Sequence, residues 1–132
     1  MNQFGENSFA VNRAQALAQK IEAADSFETL VIYAEEARRI DESFLGAGLG
    51  GSLSTYGISW LNDCLAARVV ALSAEESRLP AANWCWISLG SEGRHEQTLV
   101  TDQDNGLIFS ASDEHEATLL RNVFLPFAQK VN

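Results

Sequence analysis

The residues of this chain best suited to chemistry begin at Gly90-Ser91, directly after an apolar run over residues 84–89. That run is short, aromatic and followed by a glycine, which predicts a buried strand and then a turn. Gly90 allows the backbone to approach a ligand without a β-carbon in the way. Ser91 is a favourable N-cap for a short helix, whose first free N–H groups would point toward an anion together with the Ser91 hydroxyl. The motif therefore predicts a phosphate-binding turn.

Two aspartates, Asp102 and Asp104, follow at the start of a second predicted strand over residues 102–109. Side chains two residues apart on a strand share a face, with their Cα atoms about 7 Å apart. Carboxylates on one face repel each other unless a cation lies between them. Such hard oxygen ligands suit Mg²⁺, which usually keeps several waters and takes its remaining ligands from substrate phosphates. The pair therefore predicts a magnesium site.

The two motifs come together if the strands pair antiparallel, because the end of the first strand then lies beside the start of the second. A phosphate-binding turn would then face two metal ligands. Nucleotidyl transfer needs that arrangement, with Mg²⁺ across the triphosphate, an attacking hydroxyl in line and pyrophosphate as leaving group. We expect Asp102 and Asp104 to be catalytic and to bind the metal, and Gly90 and Ser91 to hold the nucleotide phosphates.

The elements around these motifs predict an α+β fold. Before residue 80, apolar residues recur at spacings of three and four, which predicts a helix over residues 9–24, a second that ends at the Gly-rich segment 46–52, and a third over residues 54–77. After the two strands, Ser112 or Asp113 caps a last helix, which Pro126 should kink or interrupt. We therefore expect an N-terminal helical bundle over residues 1–80, packed on an α+β core over residues 81–132.

Composition and charge limit the partners. The chain has 18 acidic and 9 basic residues, a net charge of −9 and no cluster of Lys and Arg, which argues against nucleic acid. A phosphorylated ligand carried with Mg²⁺ remains compatible, because the metal supplies positive charge. No apolar stretch approaches the roughly 20 residues that span a bilayer, and the N-terminus lacks the pattern of a secretory signal. With Cys64 and Cys85 interpreted as reduced, partly buried thiols, the sequence predicts a cytoplasmic protein without a membrane partner.

The segment GSEGRHEQTLVTDQDN, Gly90 to Asn105, also carries a family resemblance. Gly-Ser after an apolar run, followed by Asp-x-Asp on a strand, resembles the nucleotidyltransferase superfamily related to DNA polymerase beta. More closely, the segment resembles a bacterial family of nucleotidyltransferases akin to the PII-protein uridylyltransferases and often fused to CBS or cyclic-nucleotide-binding domains. The helical lead, with Leu61 to Asp63, fits this resemblance too, so it extends over nearly the whole chain.

The resemblance implies a partial nucleotidyltransferase fold, a short antiparallel β-pair with helices, that transfers a uridylyl or adenylyl group from an NTP with Mg²⁺. It implies that Arg94 is a phosphate or supporting residue. The acceptor hydroxyl would belong to a protein of PII type or to a small molecule, and a homo-oligomer stays open. The superfamily normally adds a third carboxylate on a later strand, and no strand is predicted after Phe109. We therefore expect the chain to be a fragment of a longer protein.

The same residues are compatible with other interpretations. The aspartates could be a solvated polar turn, Gly90-Ser91 an ordinary strand-to-helix turn, and Arg94 an ion-pair partner of a nearby acid. For the whole chain, the alternatives are a catalytically inactive module that senses nucleotide and an acidic helical domain that binds a partner. The GxGxxG match at Gly46–Gly51 follows a helix rather than a strand and is not a dinucleotide site.

Overall fold

The computed structural model describes residues 3–46, 52–94, 96 and 104–131. The described residues form five α-helices and two β-strands. In chain order these are α1 (Gln3–Glu22), α2 (Phe27–Gly46), α3 (Ser52–Ser77), β1 (Trp84–Ser88), α4 (Gly90–Gly93), β2 (Asn105–Phe109) and α5 (Glu114–Val131). The α+β class is confirmed. Residues 47–51, which hold most of the Gly-rich segment, lie outside the described residues.

Helices α1, α2 and α3 pack on one another around an aliphatic core. Leu17 and Ile21 of α1, Ile40 of α2 and Leu61 of α3 are almost completely buried there. Leu17 and Ile21 are four residues apart and therefore share one face of α1, which is the pattern by which an amphipathic helix packs in a bundle. The first three helices therefore position the rest of the chain through α3, the longest of them.

Strands β1 and β2 pair antiparallel, with Trp84 opposite Phe109 and Ser88 opposite Asn105. Alternate residues face the interior, so the indoles of Trp84 and Trp86 pack against α5. The ring centroids of Trp84 and Phe127 are 5.4 Å apart in an edge-to-face arrangement. The opposite face of the sheet carries Cys85, which is exposed. The prediction that Cys85 is partly buried was therefore wrong, because Cys85 points outward between two half-buried tryptophans.

Helix α5 joins the sheet to the helical bundle. Asp113 caps it through a hydrogen bond of 2.8 Å from the Glu116 backbone N–H to Asp113 Oδ1, which confirms one of the two predicted caps. The helix continues through Pro126 to Val131 rather than ending there. Phe124 and Phe127, on either side of that proline, are buried against the sheet and hold both halves of the helix in place.

Helix α3 contributes to both hydrophobic clusters of the described residues. Leu61 and Leu72 lie in the bundle core, whereas Val70 packs with Phe124 and Phe127 of α5. Within the described ranges, no helix has the combination of length and apolar character that crossing a lipid bilayer requires.

Candidate functional site

The open end of the β-hairpin brings the two predicted motifs together. Beyond the last paired residues of the strands, the Leu89 backbone N–H donates a hydrogen bond of 2.7 Å to the Asp104 carbonyl oxygen. The prediction that the end of β1 meets the start of β2 is confirmed. Asp104 lies one residue before β2 and is exposed. Its carboxylate is therefore available to a ligand at this end of the sheet.

Gly90 lies directly against that carboxylate. Its backbone is left-handed, with φ of +59°, a conformation that glycine adopts readily and other residues adopt at a cost. A β-carbon placed on Gly90 would be 2.6 Å from Asp104 Oδ2. The sequence therefore needs glycine here for two reasons, the backbone conformation and the space occupied by Asp104.

The turn after Gly90 differs from the prediction in its cap. Leu89, with an extended backbone, is the N-cap of α4, and no side-chain hydrogen bond caps the helix. The prediction that Ser91 is the N-cap was wrong, because the left-handed Gly90 starts the turn directly after the strand and leaves Ser91 inside it. The Ser91 carbonyl oxygen accepts a hydrogen bond of 2.9 Å from the Glu96 backbone N–H. This bond closes the end of the turn.

Gly93 fixes the turn against β1. A β-carbon on Gly93 would lie 2.6 Å from the backbone carbonyl oxygen of Ser88. The Gly93 N–H also donates to the Leu89 carbonyl oxygen at 3.1 Å. The turn therefore lies so close to the strand that only a residue without a side chain fits.

Arg94 extends from the end of the turn, and its side chain is 63 % exposed. Its Nε donates a hydrogen bond of 2.8 Å to Glu96 Oε2. The structure thus places Arg94 next to the predicted phosphate turn, where it is paired with the acid two residues later. Both interpretations of Arg94, as an ion-pair partner and as a phosphate ligand, are compatible with this position.

Asp102, the second predicted metal ligand, lies outside the described residues, as do His95 and Gln103. Among the residues that the structure does describe, no three His, Cys, Asp or Glu side chains converge as a metal site would require. Of the five predicted site residues, the structure therefore brings Gly90, Ser91, Arg94 and Asp104 to one end of the hairpin.

Glu92 is a residue of this site that the sequence did not predict. Its side chain is 1 % exposed, and neither carboxylate oxygen has a hydrogen-bond partner among the described residues. Burial, the largest effect, raises the pKa of the Glu92 carboxyl group, and the negative charges of Asp63 and Asp104 raise it further. The Ser88 side chain acts in the opposite direction without forming a regular hydrogen bond.

Glu92 also lines a cavity of about 470 Å³ between α3 and β1, together with Asp63, Ser88 and Trp86. An isolated glutamate between Ser91 and Gly93 has no periodic pattern around it, so the sequence alone gave no signal for its burial. For Asp63, the resemblance covers the residue within Leu61 to Asp63 but implies no role.

Comparison with known proteins places most of the chain in one family. Residues 35–132 match the family model described as "Putative nucleotidyltransferase DUF294". No curated protein and no solved structure matches the chain. The matched part begins within α2 and contains α3, the hairpin, the Gly90–Gly93 turn and α5, so it includes every element that forms the site. The chain therefore belongs to this family of nucleotidyltransferases.

Proposed function

We propose that this domain transfers a nucleotidyl group, uridylyl or adenylyl, from an NTP to a hydroxyl group in an Mg²⁺-dependent reaction. The observation that supports this most directly is the contact between Gly90 and Asp104. An exposed carboxylate lies against a residue that has no β-carbon, at the point where a strand turns into a short helix. A phosphate group bound at this turn would therefore lie next to an acidic metal ligand.

The residues present fit Mg²⁺. This ion is bound in proteins through one or two carboxylates, with waters and substrate phosphates as further ligands. Asp104 supplies one exposed carboxylate, and Asp102 is the proposed second. When bound, Mg²⁺ would neutralise the triphosphate charge and stabilise the pyrophosphate leaving group.

The remaining residues bind and orient the nucleotide. In this proposal, the backbone of the Gly90–Gly93 turn and the Ser91 hydroxyl hold phosphate oxygens, and Arg94 assists from the end of the turn. Because the surrounding chain is strongly acidic, with a net charge of −9, the metal-bound nucleotide is favoured over the free anion. Holding the nucleotide and the attacking hydroxyl group in line would account for most of the catalysis.

The acceptor follows from the resemblance to PII-protein uridylyltransferases. A protein hydroxyl of PII type is the first acceptor to test, and a small-molecule hydroxyl is the second. The geometry of the described residues favours neither.

The proposal is tested by measuring Mg²⁺-dependent binding of the four NTPs to the chain by thermal shift, and nucleotidyl transfer by release of pyrophosphate. Asp104→Asn keeps the size of the side chain and removes its charge, so it should strongly reduce both responses. Asp25→Asn, at an exposed aspartate between α1 and α2, is the matched control and should behave as wild type. Equal binding and turnover in wild type and Asp104→Asn would contradict the proposal.

A second candidate is a domain that binds Mg²⁺-NTP without catalysis. The observation that favours it is that, over the described ranges, Asp104 is not joined by two further metal-ligating side chains. Under this alternative, wild type shows an NTP-dependent thermal shift, Asp104→Asn loses it, and no pyrophosphate is released with any acceptor.

A further inference from the structure

Glu92 occupies a position that is energetically unfavourable for a carboxylate. It is almost completely buried, it has no hydrogen-bond partner among the described residues, and two acidic residues, Asp63 and Asp104, act on it electrostatically. A buried polar group without a partner costs stability, and a charged one costs more. Such groups in native proteins call for an explanation.

The location of the side chain suggests that explanation. Glu92 lies in the middle of the Gly90–Gly93 turn, and its side chain lines the cavity whose opposite wall is α3, formed by Asp63, Ala66, Ala67 and Val70. The turn is held on its other side by the close approach of Gly93 to the Ser88 carbonyl oxygen. Glu92 therefore lies on the side of the turn that faces α3, at the wall of the cavity between them.

A direct role of Glu92 with substrate or metal does not fit this geometry. Both of its carboxylate oxygens are shielded from solvent, whereas the Asp104 carboxylate is exposed beside Gly90. The side chain acts instead on the backbone that carries it. Its length matters because a shorter side chain would enlarge the cavity between the turn and α3 and leave the turn less support on that side.

We propose that Glu92 is a positioning residue that holds the Gly90–Gly93 turn against α3 and thereby keeps Gly90 in contact with Asp104. The proposal rests on the proposed function for its catalytic consequence. Glu92 fulfils this role by its shape and burial and not by its charge. Residues that violate the rules of stability in this way are expected where function requires them.

The test compares Glu92→Gln, which keeps the shape and removes the charge, with Glu92→Ala, which removes the shape. Glu92→Gln should keep the KM for Mg²⁺-NTP within about twofold and raise Tm by about 3 °C, because an amide is less costly to bury beside two acids. Glu92→Ala should raise that KM by about tenfold, since a displaced turn misplaces the phosphates. Glu114→Ala, at an exposed glutamate in the first turn of α5, is the control and should leave the KM unchanged.

A second measurement does not depend on activity. The Gly93 N–H donates to the Leu89 carbonyl oxygen, so its hydrogen exchange reports whether the turn stays formed. Exchange at Gly93 should be faster in Glu92→Ala and unchanged in Glu92→Gln and Glu114→Ala.

Two results would overturn the proposal. If Glu92→Gln loses as much NTP affinity as Glu92→Ala, the charge acts directly and the role is not positioning. If Glu92→Ala shows wild-type exchange at Gly93, the side chain does not hold the turn. Should wild type fail to bind Mg²⁺-NTP, the proposed function fails, while the exchange measurement still decides on Glu92.

Discussion

Oδ2 of Asp104 occupies the space that a β-carbon of residue 90 would need, at a separation of 2.6 Å from the place where that carbon would lie on Gly90. The contact is made possible by the hydrogen bond from Leu89 N–H to the Asp104 carbonyl oxygen, which extends the strand pairing by one residue. The proposed phosphate-binding turn and the proposed metal ligand are thus held close to each other by main-chain geometry. Substitutions at Gly90 or at Asp104 should therefore affect both phosphate binding and metal binding.

Gly90→Ala should reduce turnover with Mg²⁺-NTP by more than tenfold. The left-handed backbone costs a non-glycine residue about 1–2 kcal/mol, and the new methyl group forces the Asp104 carboxylate away from its position. Steady-state kinetics at saturating Mg²⁺ measures the effect.

A double-mutant cycle of Gly90→Ala with Asp104→Asn distinguishes the two causes of that loss, backbone strain and displacement of the Asp104 carboxylate. If the methyl group acts by displacing the carboxylate, the double variant should bind Mg²⁺-NTP no worse than Asp104→Asn alone. Fully additive losses in binding free energy would show that the two residues act independently.

Gly93→Ala should destabilise the fold more than Gly90→Ala does. Its β-carbon would meet the backbone oxygen of Ser88 at 2.6 Å, and neither atom can rotate away as a side chain can. Overpacking of this kind costs about 1–3 kcal/mol. Urea denaturation of the two variants gives the comparison, and a smaller loss of unfolding free energy in Gly93→Ala would contradict the close packing of the turn on β1.

The sheet and its inner face were predictable from sequence. The alternation of Trp84, Cys85 and Trp86 indicated which side chains face the interior, and the apolar end of β2 indicated its pairing. Asp113 was predictable as a cap because it has a short polar side chain and because the residue directly precedes a helical pattern. In each case the deciding interactions are local or repeat along the element, so a single sequence contains them.

The details of the turn were not predictable in the same way. Ser91 has the chemistry of an N-cap, but because the left-handed Gly90 already starts the turn, Ser91 lies two positions after the actual N-cap, Leu89. The burial of Glu92 depends on the position of α3, which precedes it by many residues, and no local pattern encodes that distance. Pro126 is a helix breaker by propensity, but the burial of Phe124 and Phe127 overrides it.

Arg94 and Glu96 allow a test of phosphate binding at the end of the turn. Because the Arg94–Glu96 ion pair is exposed, it contributes about 0.2–1 kcal/mol, and Glu96→Gln should improve affinity for Mg²⁺-NTP by about twofold by releasing Arg94. Arg94→Ala should weaken affinity, whereas Arg121→Ala, at an exposed arginine of α5, should not.

The salt dependence checks the same interaction. Both the gain from Glu96→Gln and the loss from Arg94→Ala should shrink at high ionic strength, because exposed charges are screened. An Arg94→Ala variant with wild-type affinity at low salt would show that Arg94 is only the partner of Glu96.

Asp41 on α2 should make the stability of the fold depend on pH. It is 5 % exposed, and burial, assisted by the charge of Glu42, raises its pKa from an ordinary value of 3.8 to about 7. At a pH below its ordinary pKa, Asp41 is protonated in both the folded and the unfolded state. Its contribution to the free energy of unfolding is then fully present. As the pH rises toward about 7, the unfolded chain loses this proton first, so the free energy of unfolding decreases.

Asp41→Asn removes this titration while keeping the side-chain size. Relative to wild type, the variant should gain stability progressively between pH 4 and pH 7, on the order of 2 kcal/mol by neutral pH, which is less than the full shift implies because buried sites relax and admit water. Urea denaturation of both proteins from pH 4 to pH 8 measures the difference, with Asp25→Asn as the exposed control. A difference that stays constant with pH would mean that Asp41 is ionised in the folded protein throughout this range.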